Sequence, residues 1–94
     1  MTDDFERPDL FVVVRILEAL YGNKGPMRPT SLGRASEMNY DRLNRYLDYF
    51  VARELVARKT DGAGGPLYEL TPKGYKALVS IANGIHEYFE GKAP

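Results

Sequence analysis

The sequence predicts a single, mainly α domain of α+β type, in the order helix, helix, helix, β-hairpin, helix. Three observations carry this expectation. Apolar residues recur at helical spacing over residues 10–21 and again over 40–54. Two strand-like runs, "LVARKT" and "PLYELT", flank "DGAGG", whose glycines supply the positive φ that a hairpin tip needs. The stretch "LTPKG" is a helix opening, with Thr71 suited to the N-cap and Pro72 to the first helical position.

Each element has its own justification. The first helix opens near Pro8 and Asp9, since proline is tolerated in a first turn. Leu10, Val13, Val14, Leu17, Ala19, Leu20 and Tyr21 give it an apolar face. "GNKGPMRP" then ends it, with Pro26 and Pro29 holding the connector extended. In "TSLGRASEMN", Thr30 or Ser31 is the expected N-cap of a short second helix, with Leu32, Ala35 and Met38 as its apolar face. Asn39 is expected to cap a third helix running to about Glu54. Leu43, Leu47, Phe50 and Val51, with Tyr46 beside them, form a stripe that needs a core to cover. The opposite face carries Tyr40, Asp41, Asn44, Arg45 and Asp48. The last helix, over about 72–91, places Tyr75, Leu78, Ala82, Ile85 and Phe89 at alternating spacings of three and four, a heptad-like seam. Val79, Ile81 and Tyr88 lie outside that seam, so the apolar surface is wider than one small core requires.

Composition excludes several functions. The 94 residues, 44% hydrophobic and 28% charged, suit one globular domain. There is no cysteine and His86 is the only histidine, which leaves no metal-ligand spacing, no thiol chemistry and no residue constellation for catalysis. No cofactor is expected. No apolar run approaches the ~20 residues of a membrane span, and the acidic start "MTDDFERPD" is unlike a signal peptide. The expected location is therefore the cytoplasm. Net charge is zero, but residues 28–59 hold seven basic side chains against four acidic ones. A phosphate backbone responds to that local surplus, because screening removes charges more than about 8–10 Å away.

The stretches "NYDRLNRYLDYFVARELV" and "YELTPKGYKAL" resemble the winged helix–turn–helix transcription regulators, particularly small archaeal and prokaryotic ones of PadR-like or MarR-like type. In that family a helix of this kind ends in an apolar pair, and a wing follows that leads into "Y-x-L-T-x-K-G". The resemblance covers residues from about 30 to 78, with residues 10–21 fitting as the first helix. It implies a three-helix core, a β-hairpin wing and a C-terminal dimerisation helix, all within one domain spanning residues 1–94. One departure stands out. The family commonly has glycine before the apolar pair, whereas this chain reads "AREL".

The resemblance also implies a partner, double-stranded DNA, and a set of contacts. The third helix, about 40–54, would lie in the major groove and the wing, about 57–68, on the backbone or in the minor groove. Arg45 matches guanine O6/N7 and Asn44 matches adenine N6/N7. Asp41 can accept from cytosine N4 or merely orient Arg45. Tyr40, Arg42 and Asn39 complete that end of the helix. Arg28, Thr30, Ser31 and Arg34 sit where the second helix meets phosphate, and Arg58 and Lys59 where the wing does. The plainer alternative is a solvated polar face, with hydroxyls that only cap. Tyr75, Leu78, Val79, Ala82, Ile85, Tyr88 and Phe89 form the expected homodimer interface, with a lid over the protomer's own core as the alternative. A seam of Tyr and Ile can also hold an apolar effector, though no residue names one. Two other functions suit the same fold: a protein–protein interaction module, and an architectural DNA-binding protein with little sequence specificity. The latter should be more basic than a pI of 6.6.

Overall fold

A computed structural model describes residues 8–88. The order is α1 (Leu10–Asn23), α2 (Pro29–Ser36), α3 (Tyr40–Ala52), β1 (Val56–Thr60), β2 (Pro66–Leu70) and α4 (Pro72–Tyr88). This is the expected sequence of elements, with α3 ending two residues sooner than expected. The tail of the last helix beyond Tyr88, Phe89 included, lies outside the described residues.

The helices pack around one core. Val12, Val13, Ile16, Leu17 and Leu20 of α1 meet Leu32 of α2 and Leu43, Tyr46, Leu47 and Phe50 of α3. Val56 and Tyr68 of the hairpin and Leu78 of α4 close it. The expected stripe of α3 is thus the buried one, except that Val51 is only half-buried.

The helix starts follow capping chemistry, with one correction. α1 opens at Pro8–Asp9 as expected, with Asp9 as its N-cap: the carboxylate accepts the Phe11 and Val12 N–H groups at 2.9 and 3.4 Å. Neither Thr30 nor Ser31 caps α2. Arg28 takes the N-cap position with extended backbone, and Pro29 begins the helix. Proline fixes φ near the helical value and forces the residue before it to be extended, so it sets the start. The buried face of α2 is Pro29, Leu32 and Ser36, at spacings of three and four; Ala35 is exposed, and Met38, just beyond the helix, packs half-buried against the core. The buried Ser36 hydroxyl donates to the Leu32 carbonyl at 2.7 Å, so nothing polar is stranded. Asn39 caps α3 as expected, accepting from Arg42 N–H at 2.9 Å.

The helix ends share an unusual feature. At the end of α3, Leu55 N–H bonds the Phe50 carbonyl and Glu54 N–H the Val51 carbonyl, a Schellman closure. Glu54 sits at φ +64°, where glycine is the usual choice. Glu37 closes α2 in the same way at φ +59°, and Lys24 follows α1 at φ +59°. The glycine missing from "AREL" is therefore missing at a position that needs its conformation.

The wing is a two-stranded antiparallel hairpin, with Val56 opposite Leu70 and Thr60 opposite Pro66. A short bridge adds the α1–α2 connector as a third ribbon: Met27 and Tyr68 exchange two backbone hydrogen bonds of 2.8 Å. At the wing root, Thr71 serves both neighbours. Its hydroxyl donates to the Glu54 carbonyl at 2.7 Å and accepts the Gly74 N–H at 2.9 Å. A Cβ on Gly74 would drive into the Leu55 carbonyl oxygen and come within 2.8 Å of Leu70. This explains the glycine of "LTPKG" as a close approach of helix to backbone.

Candidate nucleic-acid interface

The amphipathic pattern of α3 buries one face and leaves the N-terminal half of the other open. Tyr40 is 58% exposed, Asp41, Arg42 and Arg45 are exposed, and Asn44 is half-buried. Asn39, Tyr40, Asp41, Arg42 and Arg45 line one open groove of about 460 Å³. Five of the expected contacts therefore share one concavity, with Asn44 on the helix turn behind them. Arg42 lies over the Tyr46 ring at 5.8 Å, which restrains its stem without consuming its donors. Of α2, Thr30 and Ser31 are exposed in the first turn and Arg34 is exposed in the last.

Arg28, Arg58 and Lys59 each stand against a carboxylate of the same chain. Arg28 forms an ion pair with Asp61 at the wing tip, across 33 residues of sequence. Asp61 is the hub of that tip. One of its oxygens accepts the Ala63 and Gly65 N–H groups at 2.9 and 3.1 Å, and the other meets Arg28. Partial burial alone would raise the Asp61 carboxyl, but these N–H groups and the guanidinium outweigh it and hold it below the usual carboxylate range. Arg58 on β1 reaches back to α3, donating to Asp48 at 2.6 Å and to the Tyr68 hydroxyl at 3.1 Å. The Tyr68 hydroxyl first, then Asp48, hold its pKa above the ordinary arginine value. Lys59 pairs with Glu69 on the neighbouring strand at 2.5 Å.

The wing is thus bound to α2 through Arg28–Asp61 and to α3 through Arg58–Asp48. The sequence reading identified the cations and missed their partners. Nothing local marks Asp61 as the mate of Arg28; the only hint was an acidic residue in a tip that otherwise needed none.

The expected dimer residues divide. Leu78 and Ile85 are buried within the protomer, while Tyr75 and Val79 are exposed and Ala82 is half-buried. The outer face of α1 continues this surface; the sequence reading placed Val14 and Tyr21 on the apolar side of that helix but missed Phe11 and the link to the last helix. The Tyr21 and Tyr75 rings lie 5.3 Å apart, and Phe11 and Val14 border a groove shared with Ala82 and Ile85. Their spacing at 11, 14 and 21 was the available signal. An apolar cleft of about 530 Å³ lies between α1, β2 and α4, lined by Leu20, Tyr21, Leu70, Pro72 and Tyr75. Among the described residues no helix is long and apolar enough to cross a membrane, and no group of His, Asp and Glu is arranged to hold a metal.

The architecture has known counterparts. The chain is similar in structure to Sso10a-2, a DNA-binding protein from Sulfolobus solfataricus, with a TM-score of 0.75 and 24% identity over 85% of this chain and 80% of that one. It is similar also to the transcriptional regulator BldR from Sulfolobus solfataricus (TM-score 0.71, 22% identity, 81% of this chain and 55% of that one). A MarR family transcriptional regulator from Silicibacter pomeroyi gives 0.68 and 27% identity, over 80% of this chain and 50% of that one. The chain spans about half the length of these last two proteins. No protein of curated function matches its sequence significantly. A family model described as winged helix-turn-helix matches residues 6–88, which covers the three-helix core, the wing and α4. The chain therefore belongs to the winged helix-turn-helix family, whose fold is that of non-enzymatic DNA-binding transcription regulators.

Proposed function

We propose that the protein is a cytoplasmic, sequence-specific transcription regulator that binds double-stranded DNA as a homodimer. The observation that carries this is the open groove at the start of α3, where Tyr40, Asp41, Arg42 and Arg45 stand together on a helix whose other side is anchored in the core. In this reading α3 enters the major groove, Asn44 and Arg45 read base edges, and Asn39, Thr30, Ser31 and Arg34 steady the phosphates. The wing, with Arg58 and Lys59, lies along the backbone, and Arg28 stands between wing and α2. Two copies joined through Tyr75, Val79, Ala82, Tyr88 and Phe89 of the last helix, with Phe11 and Val14 beside them, would place two recognition helices about 34 Å apart. Leu78 and Ile85 then support that face from within.

Selection from a random duplex pool tests the reading. Wild type should enrich a palindromic site, and Asn44→Ala/Arg45→Ala should lose it, since each bidentate pair is worth about 1–3 kcal/mol of discrimination. Salt-sensitive binding without enrichment would instead mark an architectural protein. No binding by folded protein at low salt would leave a protein-interaction module.

A further inference from the structure

We infer that Asp61, with Asp48 and Glu69, acts as a built-in counter-ion that occupies Arg28, Arg58 and Lys59 in place of DNA phosphate, so that the wing adds orientation to binding but little electrostatic affinity. The inference rests on the DNA-binding reading and concerns the wing and the start of α2.

The argument begins with geometry. Arg28 meets a carboxylate that is itself fixed by two backbone N–H groups. Asp61 has only 19% of its side chain exposed, against 72% for Asp48. The donor set around it, two turn N–H groups and one guanidinium, is also what would hold a phosphate oxygen. Asp61 thus fills the place a phosphate would take. Arg58 is similarly engaged, by Asp48 and by the Tyr68 hydroxyl, and Lys59 by Glu69.

The consequence is thermodynamic. A cation that neutralises a phosphate releases a condensed counterion from DNA, and each such event steepens the salt dependence of binding by about 0.9 in log–log slope. A cation already neutralised by its own carboxylate brings no net charge to the phosphate, and so releases none. Arg28, Arg58 and Lys59 are in this state. The wing of this protein therefore contributes little to the salt slope, and discrimination is left to α3.

The test uses the full chain and a 30-base-pair duplex of random sequence, with dissociation constants measured by fluorescence anisotropy from 0.05 to 0.2 M salt. Asp61→Asn keeps an acceptor oxygen for the Ala63 and Gly65 N–H groups but loses the charge. It should tighten binding roughly five- to tenfold at 0.1 M salt and steepen the slope by about 0.9. In an Arg28→Ala background the same substitution should tighten binding less than twofold, because no cation remains to be released. A gain of equal size in both backgrounds would reflect the net charge of the protein alone and would overturn the inference, as would no gain in either. Absence of binding by wild type and Asp61→Asn alike, both folded by circular dichroism, would overturn the DNA-binding reading along with it.

Discussion

At the root of the wing, Thr71 bonds the Glu54 carbonyl and the Gly74 N–H while α4 presses its backbone against Leu55. At the tip, some ten residues away, Asp61 gathers two N–H groups and a guanidinium in partial contact with water. The root is held by packing and by hydrogen bonds between backbone segments that cannot move independently. The tip is held by charge, in a pair whose Arg28 side is open to water and to screening by salt. The same hairpin is thus rigid where it joins the core and adjustable where it would meet a partner.

Substitution at the root should do the most damage. Gly74→Ala places a methyl against the Leu55 carbonyl, an obstacle made of backbone rather than a flexible side-chain end. A loss of about 3 kcal/mol is expected, seen as a lowered midpoint in urea denaturation. Gly65→Ala at the tip is the matched control. Its new Cβ would meet only the far end of Arg28, at 2.6 Å, and that side chain can swing aside. Comparable losses at the two sites would refute the contrast.

Glu54→Gly sharpens the comparison in the opposite direction. The left-handed conformation costs a residue with a Cβ about 1 kcal/mol relative to glycine. Relieving it should raise Tm by roughly 4–8 °C in a domain of this size. Glu54→Ala retains the Cβ and should give no such rise; an equal rise would assign the effect to the side chain instead of the backbone.

The smallest effect belongs to the tip. The Asp61 carboxyl lies below its ordinary pKa in the folded protein, so it stabilises the fold at neutral pH. That contribution is full above the unfolded value near 4 and fades as pH falls through the folded value. The difference in Tm between wild type and Asp61→Asn should therefore favour wild type at pH 7 and shrink by pH 3. A difference independent of pH would show that the turn N–H bonds, rather than the charge, hold the tip.

These features differ in how far they could be read from sequence. Asn39 and Thr71 announced their helices because a cap is a local event, settled by residues within one turn. The stripe of Leu43, Leu47 and Phe50 announced its burial because helical spacing is fixed by geometry. The start of α2 was misjudged because two helix openings competed, a proline and a pair of hydroxyls; its face was misjudged because helical spacing lets Leu32 share a face with Ala35 at i+3 or with Ser36 at i+4, and the helices packed around it select Ser36. The pairs Arg28–Asp61 and Arg58–Asp48 were not legible at all. They join residues 33 and 10 positions apart through a fold that had first to bring them together. Counting basic residues between 28 and 59 measured the charge of the segment, not the charge left over for a partner.

The exchange of hydrogen bonds between Met27 and Tyr68 also bears on the order of assembly. The hairpin can zip by itself, since its strands are joined by a five-residue tip and such closures take microseconds. Seating it beside Met27 instead closes a loop of about forty residues that contains both α2 and α3. That closure is rewarded only after the two helices have docked, so the connector bridge forms late. Met27 and Tyr68 are both buried in the core, so their bridging amides should exchange with solvent together, and only through an opening that also parts the wing from that core.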